Sequence, residues 1–513
     1  MAKKKTDEKL TTAQRLSSIV KTCRNIMRKD KGMNGDIDRL PMLTWIMFLK
    51  FLDDMEQIHE AEAKFNKLSY KPIIESPYRW RDWATNQNLT GDDLLSFINN
   101  EKCILPDGKE GLGLFYYLRS LQSENGSNRK DVVATIFKGI NNRMINGYLF
   151  KDVVNKINEI HFTSSEEVFT LSHLYESLLK EMRDSAGDSG EFYTPRPVVR
   201  FMIEMIEPKL GETVLDPAAG TGGFLVEAFE YLKKQATPET YHQLQHETIF
   251  GGEAKSLPYL LCQMNLLLHG MEYPQIDSGN SLRFKLNEIG DSQRVDIIVT
   301  NPPFGGEEEK GILNNFPNDK RTSETALLFL QLIMRKLKRK KASNRGGRAA
   351  IVVPDGTLFA DGVAARIKKQ LLDDFNLYTI VKLPAGVFAP YTDIPINLIF
   401  FEQGTSTEEV WYYELFMPDD RKRYSKTKPL QYEELETLKR WWKKRVENEN
   451  AWKVDIKKIV SNAENGNLIV NLDRKNPNKK GDFEYIEPEI LMNEIKLKES
   501  KIEKLVSEID IDF

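Results

Sequence analysis

Residues 214–229 read VLDPAAGTGGFLVEAF. The segment opens as a short apolar run ending in Asp216, turns through Gly220, Gly222 and Gly223, and resumes with apolar residues at helical spacing. Strand, glycine turn and helix in that order form a nucleotide-binding arrangement, because glycine lets the backbone approach a ligand closely. Asp216, at the strand end, is placed either to orient the loop or to contact the amino-acid end of a cofactor. In isolation the segment also fits a plain tight turn, so its neighbours carry the reading.

From Gly211 onward, short apolar runs alternate with helical segments: ETVLD, TIFGGE, VDIIVT, AAIVVP, YTIVKL and INLIFF. This pattern predicts an α/β fold with a mainly parallel, Rossmann-like sheet wrapped by helices. The run TIFGGE ends in Glu253, where a carboxylate suits a ribose diol by accepting both hydroxyl hydrogens. IDSGNSL offers Asp277, Asn280 and Ser281, at a place that suits an adenine edge and a turn equally.

VDIIVTNPPFGG puts Asn301, Pro302, Pro303 and Phe304 directly after a buried strand, at the carboxyl edge where open α/β sheets keep their sites. A bare NPPF also fits an extended proline turn, but here it follows a glycine turn and an acidic strand end. An aromatic amine is a poor nucleophile because its lone pair is delocalised. Accepting hydrogen bonds from its two N–H groups localises that pair, and Asn301 supplies a side-chain oxygen and Pro302 a carbonyl for this. The prolines fix φ, remove backbone donors and preorganise the acceptors. Phe304 offers a flat face on which an unpaired base can stack. Transfer from a sulfonium by in-line displacement needs no metal and no covalent nucleophile, only held geometry.

Towards the amino terminus, LPMLTWIMFLKFLDDME and EEVFTLSHLYESLLKEM carry helical spacing, which predicts a helical domain over residues 1–165. DSAGDSG (184–190) marks a connector before GEFYTPRPVV. A catalytic domain is expected over 166–410. Beyond it, 411–513 reads as charged and largely helical, closing on a segment whose Leu491, Ile495, Ile502, Leu505 and Ile509 share one helical face. That face suits either docking on a partner or packing within the chain. The Lys and Arg clusters around Arg421 and Trp441 suit either phosphate contacts or a solvated surface. The acidic stretch GGEEEK after Phe304 reads as a loop that closes over DNA.

The 513 residues carry 73 Lys and Arg against 76 Asp and Glu, a formal net charge of -3, so any grip on nucleic acid is local or shared with another chain. Cys23, Cys103 and Cys262 have neither disulfide nor zinc spacing, consistent with a reducing cytoplasm. The apolar stretch 42–49 is far too short to span a bilayer. The chain has no GxxxxGK[ST] loop, which argues against an ATP-driven motor.

At these motifs the chain resembles the amino-methylating DNA methyltransferases, and more closely the modification subunits of type I restriction–modification systems, over most of its length. The resemblance implies S-adenosylmethionine as cofactor and adenine N6 in double-stranded DNA as methyl acceptor. It implies that Glu191, Phe192, Tyr193, Thr194, Pro195 and Arg196 close over the cofactor, which Thr221, Gly222, Gly223 and Glu253 also bind. NPPF matches the family's catalytic tetrapeptide residue by residue. Many relatives carry Asp where Asn280 stands. LPAGVFAPYTDIPINLIFF resembles the region supplying a second aromatic wall, with Phe388 and Tyr391 both candidates.

The resemblance also implies that a separate specificity subunit reads the DNA. A second methyltransferase subunit and a restriction subunit are possible further partners. Two rival readings are methylation of another planar amine, in a protein glutamine or an RNA guanine, and a scaffold of the same fold without activity.

Overall fold

A computed structural model describes residues 11–122, 129–163, 194–341, 345–389, 394–418, 423–463 and 466–478, with isolated positions elsewhere between 167 and 502. Nine strands form the central sheet: β1 Val214–Asp216, β2 Ile249–Gly252, β3 Gln275–Asp277, β4 Ile297–Thr300, β5 Arg348–Pro354, β6 Phe375–Lys382, β7 Ile396–Gln403, β8 Glu409–Glu414 and β9 Ala451–Asp455. Their spatial order is β9-β8-β6-β7-β5-β4-β1-β2-β3. From β3 to β5 every pair is parallel, and β8 is parallel to β6. β7 runs antiparallel between β5 and β6, and β9 is antiparallel to β8.

The expected α/β sheet is therefore present with two strands reversed. β7 runs back along β6 after residues 383–395, whose described positions hold turns and none of the helix that usually carries a parallel crossover.

Both faces of the sheet are covered, which is why its strands read as continuous apolar runs. Along β4, Ile297 and Val299 enter one core and Ile298 the other; along β5, Ala350 and Val352 oppose Ala349, Ile351 and Val353. The first core continues without a break into the N-terminal helices. These are α1 Thr12–Met27, α2 Asp36–Phe65, α3 Arg129–Lys138 and α4 Gly147–Ile157. The helices flanking the sheet are α5 Arg196–Ile206, α6 Gly223–Lys233, α7 Ser256–Leu268, α8 Thr325–Lys336 and α9 Val363–Asp374.

α1 starts at a capping box, in which Thr11 Oγ1 accepts from Gln14 N and Gln14 Oε1 accepts from Thr11 N, satisfying two otherwise orphaned donors. α2 is almost wholly buried along residues 42–54 and packs against both the N-terminal helices and α7. Its Trp45 stacks on Phe150 and meets Phe115 and Phe137 edge-on. The helical N-terminal region also holds a small antiparallel hairpin, Lys102–Ile104 with Glu110–Leu112.

The expected boundary at residue 410 falls inside β8, so the sheet continues beyond it. Tyr412 and Trp452, on neighbouring strands, stack at 5.3 Å and are both buried. A second hairpin, Val460–Asn462 with Leu468–Val470, follows. Among the described residues from 411 to 478 the expected largely helical region is instead mostly strand and loop, because these aromatic residues are buried as sheet pairs. Among the described residues there, the longest helix is α10, Glu436–Lys443.

In the basic clusters of this region Arg423, Lys426, Lys428, Arg440, Lys443 and Lys444 are exposed, while two arginines turn onto the protein. Arg421 pairs with Glu434 at 2.5 Å, and the Arg445 guanidinium lies over Tyr378, Trp441 and Trp442. Leu491, Ile495, Leu505 and Ile509 lie outside the described residues, whereas Ile502 is exposed. Among the described residues no helix is long and apolar enough to cross a membrane.

Candidate active site

The glycine turn follows β1 as expected. Gly220 and Gly222 have φ of 55° and 80°, a region that disfavours side chains, and a Cβ on Gly222 would come within 2.9 Å of Cys262 Sγ. The turn is also tied from below, since Asn265 Nδ2 of α7 donates to the Thr221 carbonyl at 2.9 Å. Arg196 Nη1 donates to the Gly223 carbonyl at 2.9 Å, joining the start of α5 to the start of α6.

Asp216 is fully buried; its Oδ1 accepts from Thr300 Oγ1 at 2.6 Å and from Ala218 N at 3.0 Å. Burial pushes its carboxyl up to about 7, against the pull of those two donors. Glu253, just past β2, uses both oxygens, accepting from Gly220 N at 2.9 Å and Lys255 N at 2.8 Å. Burial raises this carboxyl as well, with the same two N–H groups opposing it. The loop is thus held by two buried carboxylates whose hydrogen-bond donors are uncharged.

A cavity of about 470 Å³ opens over this edge. Thr194, Arg196, Asp216, Gly220, Thr221, Gly223, Glu253, Asn301 and Pro303 line it, as do Asn280 and Ser281. Pro195, Gly222, Pro302 and Phe304 do not line it; Pro195 caps α5, and Gly222 starts α6. Glu191, Phe192 and Tyr193 lie outside the described residues. Ser281 Oγ donates to the Pro217 carbonyl at 2.6 Å, while Asp277 turns outward to pair with Arg283. Asn280 caps its turn through Leu282 N and donates to Glu308 at 3.3 Å.

Asn301 Nδ2 donates to Thr194 Oγ1 at 3.0 Å, and Asn301 Oδ1 is buried with no hydrogen-bond partner among the described residues. Phe304 meets Phe388 edge-on at 6.3 Å, whereas Tyr391 lies outside the described residues. Sequence reading missed Thr300, Thr325 and Phe329. Thr300 grips Asp216, Thr325 Oγ1 donates to the Gly306 carbonyl, and Phe329 lines the cavity. A lone threonine closing an otherwise apolar run was the signal available for Thr300. Glu307 and Glu308, from the acidic loop, also form part of the wall.

A glycine turn after the first strand, buried acids at two strand ends and NPPF thus share one edge of the sheet. A family model described as N-6 DNA methylase matches residues 166–479, and one described as the HsdM N-terminal domain matches residues 16–105. The chain belongs to the N-6 DNA methylase family, among the methylase subunits of type I restriction enzymes.

It is 44% identical over 505 residues to the type I restriction enzyme EcoEI methylase subunit of Escherichia coli, covering 96% of each chain. The crystal structure of a modification subunit from Vibrio vulnificus YJ016 is 65% identical, with 92% of this chain and 99% of that one covered and a TM-score of 0.83. A chain from a structure of the assembly and conformational transition of a type I R-M system is 38% identical over 98% of both chains, with a TM-score of 0.78. This kinship supports the DNA-methylase reading over protein glutamine, RNA guanine or an inactive scaffold.

Proposed function

We propose that the chain transfers a methyl group from S-adenosylmethionine to N6 of an adenine flipped out of double-stranded DNA. The observation carrying this reading is Asn301: its amide nitrogen is anchored on Thr194, and its buried oxygen has no partner among the described residues. A buried acceptor left unpaired costs about 1–3 kcal/mol, a penalty removed when a substrate N–H arrives. Asn301 Oδ1 and the Pro302 carbonyl accept the two amine hydrogens and localise the lone pair. Pro302 and Pro303 hold them in place, and Phe304 stacks the base with Phe388 beside it.

The residues on the opposite wall fit the cofactor. Asp216 and Glu253 set two carboxyl groups in a low-dielectric cavity, where a ligand carrying a sulfonium and an ammonium favours their ionised form. Glu253 receives the ribose diol, the backbone of Gly220, Thr221, Gly222 and Gly223 cradles the amino-acid end, and Asn280 and Ser281 border the adenine. Glu191, Phe192, Tyr193, Thr194, Pro195 and Arg196 form the cover. When bound, S-adenosylmethionine supplies an electrophilic methyl group.

In this reading the catalytic unit extends past residue 410 to include β8 and β9, and the region after it docks a specificity subunit that selects the DNA site. A second methyltransferase subunit and a restriction subunit complete the assembly, in the cytoplasm. Incubation with labelled S-adenosylmethionine, specificity subunit and mixed DNA should place label on adenine N6. Label on protein or RNA, or none at all, overturns the proposal.

A further inference from the structure

A second cavity, of about 460 Å³, lies at the opposite end of the sheet, where Arg294 precedes β4, Phe375 begins β6 and Gln403 ends the reversed strand β7. Its wall carries Arg294, Lys320, Arg335 and Arg339 against one carboxylate, Asp374. This is a strong local excess of positive charge in a chain whose formal net charge is -3.

The bonds these cations make are mostly to neutral atoms. Arg335 donates from Nε to the Leu286 carbonyl at 2.7 Å and from Nη2 to the Asn287 carbonyl at 3.3 Å. Lys320 Nζ donates to Gln370 Oε1 at 2.7 Å, and Gln370 in turn donates to Asp374 at 3.2 Å. Arg294, with its side chain 5% exposed, donates to the Leu337 carbonyl at 2.7 Å and faces the exposed Asp291 at 3.3 Å. Burial, followed by the charges of Arg335 and Arg339, holds the Arg294 guanidinium below its ordinary range. The cluster is therefore self-repelling, and the carbonyls answer it only in part.

An independent sign of a ligand comes from Gln331 on α8, which lines the same cavity and is 3% exposed. Its amide nitrogen donates to the Lys320 carbonyl at 3.1 Å, which identifies the other atom as the oxygen. That Oε1 is buried without a partner among the described residues. An occupant that is anionic and also carries a hydroxyl or N–H donor would answer both the cations and this acceptor.

We infer that the cavity binds a small phosphate-bearing ligand, of the nucleoside monophosphate class, away from the methyl-transfer site. Arg294, Lys320, Arg335 and Arg339 take the phosphate, and Gln331 Oε1 accepts from a sugar hydroxyl. The volume matches small-molecule pockets and is too small for a duplex. Because the cavity and the Asn301 site lie at opposite ends of the sheet, failure of one assignment leaves the other standing.

The test is calorimetric titration of the full chain with uridine 5′-monophosphate, whose base differs from the cofactor's adenine, and with inorganic phosphate. Uridine monophosphate should bind, at least tenfold more weakly in K320Q/R339Q and unchanged in N301A. Tighter binding of the nucleotide than of phosphate identifies a nucleotide ligand; equal binding identifies the free ion. Gln331→Leu should weaken only the nucleotide. Without ligand, R339Q should melt no lower than the parent, since it removes a repelling charge. No binding at millimolar concentration, binding unaffected by the double variant, or loss of binding in N301A would overturn the inference.

Discussion

At the carboxyl edge of β1 and β2, Asp216 and Glu253 are buried among hydrogen-bond donors that carry no charge. At the amino edge of β5, Arg348 is just as buried, yet it clasps both oxygens of Glu212 at 2.7 and 2.8 Å and takes the carbonyls of Ile206 and Glu207 at the end of α5. Beside it Asp296 pairs with Lys338 and accepts from Thr213. One edge spends its charges on joining helix to sheet. The other keeps its charges available and stays folded through backbone bonds. At these two edges the charge answered by an opposite charge belongs to the scaffold, and the carboxyls answered by dipoles line the cavity.

The contrast is broken most severely by Asn301→Ala. We expect a loss of about 10³-fold in single-turnover methyl transfer, typical of removing a preorganised polar group, with cofactor affinity by equilibrium binding nearly unchanged. Comparable turnover would sink the assignment of Asn301.

On the scaffold edge, Arg348→Met should lower stability by about 3 kcal/mol in urea unfolding, because it strands Glu212 and two carbonyls together. Methyl transfer per folded molecule should hardly change. A stability loss below about 1 kcal/mol would mean that the clasp is dispensable.

Gly222→Ala sharpens the comparison at the loop. The left-handed backbone costs about 1–2 kcal/mol, and the approach to Cys262 adds to it. Melting temperature and cofactor affinity should both fall. Adding Cys262→Ala should recover only the part due to crowding, and full recovery would contradict the backbone argument.

A last effect concerns pH. Burial raises Asp216 from 3.8 to about 7, so the folded state holds a proton that the unfolded state has released. The stability contributed is fully present below about pH 4 and is lost as pH rises through 7. Asp216→Asn keeps an oxygen for Thr300 and Ala218 but cannot ionise. Relative to the parent it should gain stability steadily as pH rises from 5 to 7 and level off above that. A relative loss over that interval would refute the raised carboxyl.

Much of this was legible in the chain because burial on both faces leaves continuous apolar runs, which placed β1, β2 and β4 to β7. Strand direction was not, since INLIFF has the same apolar pattern whichever way the strand runs. β8 and β9 were overlooked because EVWYYE and AWKVD are flanked by charges and owe their pairing to stacked aromatics across a gap in sequence. The glycine turn and NPPF announced the site, but no local pattern tells that Asn301 leans on Thr194, 107 positions away. In the basic clusters the exposed lysines fit the solvated surface that was one of the two readings, but charge in a sequence does not disclose that Arg445 covers aromatic faces.

α7 touches two things at once. Its Cys262 lies beneath Gly222 and its Asn265 holds Thr221, while the same helix packs against α2 of the N-terminal helices. One helix therefore forms both the floor of the glycine loop and the seat of the helical region, so the loop and α2 share a support that does not pass through the sheet.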